Sequence, residues 1–97
     1  MSPPVVLIVQ PDRILRASFS LAYQAYGWHV LDTASGEAAM GLLQALMRPI
    51  QELVIGNVIA GQLTRSDVVT AVLRLSPSVR ITAIPSLTNP APVCGNS

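Results

Sequence analysis

Glu52-Leu53-Val54-Ile55-Gly56-Asn57-Val58-Ile59-Ala60-Gly61 decides the fold of this 97-residue chain. Leu53, Val54 and Ile55 form an unbroken apolar run weighted to β-branched residues, with no polar alternation. Such a run suits a strand buried on both faces, as at the centre of a parallel sheet. Asn57 stands where that strand should end, and open α/β sheets place their sites at the carboxyl ends of their strands. It is therefore either a site residue or an Asn that closes a strand and begins a loop.

Working outward, Val5-Val6-Leu7-Ile8-Val9 is a second strand of the same buried type, closed by Gln10-Pro11. Asp12 is placed to cap a helix from about Arg13 to Tyr26, because its carboxylate can accept from first-turn amides. Leu15, Phe19, Ala22 and Tyr26 fall on one helical stripe and predict its core face. Gly27 supplies the stop. Trp28-His29-Val30-Leu31 reads as a short strand nearer an edge. Ser35 caps a helix over Gly36 to Met47, with Ala39, Leu42, Leu43 and Leu46 inward and Pro49 beyond its end.

After the central strand, Thr64-Arg65-Ser66-Asp67 has capping-box spacing and opens a third helix to about Leu75. That helix is expected to bury Val68, Ala71, Val72 and Leu75. Val79 to Ile84 is a fourth strand, stopped by Pro85. The β-α-β-α-β-α-β order implies an open parallel sheet with right-handed crossovers and helices on both faces. Residues 1–87 are expected to form the domain, and 88–97, with Pro90, Pro92 and Gly95, a coil tail.

Composition narrows the function. The six basic residues, all arginine and scattered, against five acidic ones give +1, which offers no stripe for nucleic acid. With 51% hydrophobic and only 11% charged residues, the chain is not disordered but is short of surface charge. No apolar run reaches the length of a membrane span. Met1-Ser2-Pro3-Pro4 lacks the positive region of a secretory signal, so no membrane association and a cytoplasmic location are expected. The single Cys94 excludes an internal disulfide and a cysteine-based metal site, and reads as an incidental thiol. No cofactor is expected.

In order and spacing these pieces resemble the receiver domain of two-component response regulators. The likeness rests on Val5–Val9, Gly27-Trp28-His29-Val30, Ala34-Ser35-Gly36-Glu37-Ala38-Ala39 and Leu53-Val54-Ile55-Gly56-Asn57-Val58, and runs from residue 5 to about 86. It implies a flavodoxin-like (CheY-like) sheet of order 2-1-3-4, truncated after the fourth strand. In receivers an Asp ends the third strand and accepts a phosphoryl group from a kinase histidine. An acidic pair helps hold Mg²⁺, and a hydroxyl and a Lys contact the phosphoryl oxygens. Here the phosphoacceptor position is Asn57. The acidic pair aligns with Gln10 and Pro11, with Asp12 one residue further on, and the hydroxyl position falls on Pro85 beside Ser86. A neutral amide is no carboxylate nucleophile, and one carboxylate is too few for a Mg²⁺ cage. No metal site is expected, and an Asp at 57, buried beside Asp12, is expected to cost about 1–3 kcal/mol.

The resemblance thus implies a non-catalytic, receiver-like protein that docks on a histidine kinase or another two-component protein. Its partner face would involve Ile14, Leu15, Ala17, Ser18 and Leu87. The alternative is a structural or homo-oligomeric subunit; a phosphoacceptor using an unexpected residue is a third reading. A homodimer is expected through the fourth strand, where Val79, Ile81, Ala83 and Ile84 give an apolar edge with Arg80 as its one charge. His29 reads as a strand histidine or a phosphohistidine, and Trp28 with Tyr23 and Tyr26 as corner packing or a partner patch. Gly56 and Gly61 make no phosphate loop, because no Gly-Lys-Ser/Thr follows.

Overall fold

A computed structural model describes residues 3–46, 48–57 and 59–84. Its elements run β1 (Val5–Val9), α1 (Arg13–Ala25), β2 (His29–Thr33), α2 (Gly36–Ala45), β3 (Glu52–Gly56), α3 (Arg65–Leu75) and β4 (Arg80–Ile84). The four strands form one sheet of order β2-β1-β3-β4, every pair parallel. Every residue of β1 and β3 is buried, as their continuous apolar runs require.

Alternation along these strands divides the core. Val5, Leu7, Val9, Leu53 and Ile55 face Ala39 and Leu43 of α2 and Val68 and Val72 of α3. Val6, Ile8, Val54 and Ile84 form the other face, against Leu15, Phe19 and Tyr23 of α1. Helices therefore cover both sides of the sheet, the layering of a flavodoxin-like α/β domain.

All three expected caps are present. Asp12 accepts from the Ile14 and Leu15 amides, Ser35 from the Ala38 amide, and Thr64 and Asp67 bond reciprocally. α1 ends in a Schellman turn: the Gly27 amide donates to the Gln24 carbonyl at 3.0 Å and the Trp28 amide to the Tyr23 carbonyl at 3.1 Å. Gly27 has φ +85°, so Gly27→Ala should destabilise the domain by about 1–2 kcal/mol. Urea denaturation with an unchanged m-value is the check.

Some details differ from the sequence reading. α1 stops at Ala25, so Tyr26 is 85% exposed, Ala22 is exposed, and Tyr23 takes the inward position after Phe19. β2 lies later than expected, with Trp28 outside it and Asp32 and Thr33 inside. α2 closes before Met47, which lies outside the described residues. Leu75, at the last position of α3, is 60% exposed and is not part of the core.

The β4 region is also less bare than expected. Val79 precedes the strand, and both Val79 and Ile81 pack against the α2–α3 cluster. Ile84 is buried on the α1 side, and Ala83 is exposed. Glu52 is buried as the first residue of the central strand and accepts from Thr82 Oγ1 at 2.8 Å. The tail 88–97, with Cys94, lies outside the described residues, as do Pro85, Ser86 and Leu87.

Candidate functional site

Val9 and Ile55 are register partners, so Gln10 and Gly56 reach the carboxyl end of the sheet side by side, with Pro11 and Asn57 following. The topology thus brings the β1 and β3 candidates to one end of the fold. Gly56 and Ile84 are also register partners, so β4 ends at the same level.

The corner after β1 is closed on itself. Gln10 is buried, and its Oε1 accepts from the Asp12 amide at 3.0 Å. Asp12 Oδ1 accepts from the Ile14 amide at 2.9 Å and the Leu15 amide at 3.1 Å. Arg16 Nη1 donates to the Gln10 carbonyl at 2.8 Å, which places a guanidinium over this corner. The one carboxylate here caps a helix, and the neighbouring charge is positive. Sequence reasoning missed Arg16; its position one turn after the cap was the available signal.

Asn57 is exposed and borders a groove of about 220 Å³ whose other wall is Leu63, Thr64 and Arg65. An amide in that position can donate and accept hydrogen bonds but offers no carboxylate oxygen for covalent transfer. Its exposure also corrects the expected penalty for Asn57→Asp, because water can solvate the new charge. Among the described residues, no three His, Cys, Asp or Glu side chains gather closely enough to hold a metal ion.

The groove wall is fastened to α2. The Ala60 amide donates to the Ala34 carbonyl, and the Gly36 amide to the Ala60 carbonyl. Glu37 Oε2 accepts from the Gln62 amide at 2.8 Å and the Leu63 amide at 3.3 Å. Gly61 lies at φ +91° against that carboxylate. The Gln62 amide bond is the main cause that holds the Glu37 carboxyl below its ordinary value of 4.5.

The sign of the resulting pH effect follows directly. A depressed folded value adds stability that is complete above the ordinary carboxylate range and is lost as pH falls through the folded value. Glu37→Gln should therefore flatten the acid limb of the stability profile below pH 4.5. Denaturation midpoints measured from neutral to acid pH test this, and an unchanged acid limb would contradict the clasp.

Of the residues expected to meet a partner, Ile14, Ala17 and Ser18 are exposed along α1, joined one turn later by Leu21. Leu15 packs inward against the α1-side core and is not on that surface. His29 is exposed at the start of β2. Among the described residues, no helix is long and apolar enough to cross a membrane.

No family model matches this sequence, and no curated protein matches it. Its fold is similar to that of the signal receiver domain of a modulated diguanylate cyclase from Desulfovibrio desulfuricans. The TM-score is 0.68 at 25% identity, covering 87% of this chain and 66% of that one. A second similar chain is a yeast Spc42 trimeric coiled coil fused to another structure, with TM-score 0.72 and 16% identity over 93% of this chain. At that identity the likeness is one of fold alone. The chain spans 57% and 66% of the lengths of these two. Sheet order, layering and the comparison agree: this is an α/β domain with a receiver-like fold, of the kind found in signalling proteins.

Proposed function

We propose that this protein is a degenerate receiver that acts by docking on a histidine kinase or another two-component protein in the cytoplasm. On this reading it is not an enzyme and carries no phosphoryl group. The observation that supports the reading is the pairing of a neutral Asn57 at the end of β3 with an Asp12 whose carboxylate is engaged in capping. Receiver chemistry needs a nucleophilic carboxylate and a cluster of hard oxygen ligands. The α1 surface, with Ile14 78% and Leu21 66% exposed, offers the partner an apolar strip beside the Arg13 and Arg16 charges.

Immobilised full-length protein should retain a histidine kinase of its own cell, and Ile14→Asp should weaken that capture at least tenfold, about 1.4 kcal/mol. Ile14 is exposed, so this variant should fold like the parent. Capture of none of the cell's kinases would defeat the proposal. Pro85, Ser86 and Leu87 lie outside the described residues and stay in the proposal only as sequence positions.

A second reading, self-assembly, is favoured by β4, which has one sheet neighbour among the described residues. Two copies meeting about a two-fold axis at Thr82 would set Arg80 opposite the partner copy's Ile84, avoiding like charges across the pair. Light scattering at micromolar concentration separates the readings. A dimer dissociated by Ala83→Lys, at an exposed position of the strand, supports assembly through β4, and a monomer mass removes it.

A further inference from the structure

At the end of the sheet opposite Asn57, the Schellman turn of α1 gathers three aromatic rings. The turn brings Trp28 back over Tyr23, and their rings meet edge to face, 5.2 Å apart and 81° from parallel. Such a contact is the usual hydrophobic companion of this turn, and packing accounts for both rings. It does not account for Tyr26, which stands 85% exposed beside them.

Together with Ala22 these three rings line a pocket of about 210 Å³, and neither arginine nor histidine is among its lining residues. This is smaller than the roughly 300–1,000 Å³ that holds drug-sized ligands and is on the scale of a head group. Ring faces carry negative quadrupole potential, so a small pocket lined by three rings favours a cation whose surface is apolar. Burial first, and Glu52 second, push the Tyr23 pKa up to about 12, so the ring stays neutral. Arg80, the register partner of Glu52, acts on the Tyr23 hydroxyl in the opposite sense.

We propose that the Tyr23–Tyr26–Trp28 corner is a binding site for a small quaternary ammonium compound, held by cation–π contacts. The site is independent of the docking function proposed above and uses none of its residues.

Trp28 is the single tryptophan, so its fluorescence reports the pocket directly. Choline should perturb it saturably at millimolar concentration and constant ionic strength. The neutral isostere, with a tert-butyl group in place of trimethylammonium, should bind about tenfold more weakly. Tyr26→Phe should keep choline binding, and Tyr26→Leu, which preserves apolar surface without a ring, should lose it. Because Tyr26 is exposed, both variants should fold, and circular dichroism verifies that. Equal binding of choline and its isostere, no binding of either, or full binding by Tyr26→Leu would each overturn the proposal.

Discussion

Leu53→Ala should lower the stability of the domain by about 2–5 kcal/mol. Leu53 is fully buried in the middle of the sheet, between Leu7 on β1 and Ile81 on β4. Truncating it removes its transfer free energy and leaves a cavity that the close-packed α2–α3 side can fill only in part. A domain of this size has about 5–15 kcal/mol in total, so one side chain here commands a large share. Leu21→Ala is the matched control. The same atoms are removed from a 66% exposed position on α1, and the change should stay within about 0.5 kcal/mol. Equal losses for the two variants in urea denaturation would mean that β3 is not the centre of the core.

The second large effect runs against helix propensity. Glycine within a helix is ordinarily about 0.5–1 kcal/mol worse than alanine, so Gly36→Ala at the start of α2 would seem stabilising. A Cβ at Gly36, however, would lie 2.7 Å from the Leu63 Cβ and 3.3 Å from the Leu63 carbonyl oxygen. The backbone atom cannot yield as a flexible side-chain tip does, so the loop from Ile59 to Leu63 must lift off α2. Overpacking of this kind typically costs about 1–3 kcal/mol, enough to reverse the sign. Gly36→Ala should therefore melt below the parent, with amide-exchange protection lost first at Gln62 and Leu63. A rise in melting temperature would show that this loop is not fastened as described.

These two residues mark what sequence could and could not disclose. Leu53, Val54 and Ile55 announced a buried strand because continuous apolar β-branched runs have few other uses. The caps at Asp12, Ser35 and Thr64 were legible for a similar reason: a side-chain oxygen satisfying a helix start acts over three residues. Gly36 and Glu37 gave no comparable sign. Their partners, Leu63 and Gln62, lie more than twenty residues away, and only the docked loop brings them together. Glu52 was hidden likewise, since a carboxylate at a strand start reads as solvated until Thr82 is seen beside it.

Helix ends were the other weak point. Tyr23 and Tyr26 both continue a stripe from Phe19 at permitted spacing, and periodicity does not choose between them. The Schellman turn chooses, by leaving Tyr26 outside the last helical turn. Of the candidate site, Asn57 and the capping role of Asp12 were visible in the sequence. The Arg16 contact and the anchored groove wall were not, because each depends on where a loop comes to rest.

The central claim is that a receiver-like fold here carries no phosphotransfer chemistry. Incubation of the parent protein with acetyl phosphate and Mg²⁺, followed by intact mass, tests it most directly, with an active receiver domain treated in parallel. Asn57 presents an amide and Asp12 is committed to the α1 cap, so the expected result is an unchanged mass while the active receiver gains one phosphoryl group. A stoichiometric gain of one phosphoryl group by this protein would contradict the account.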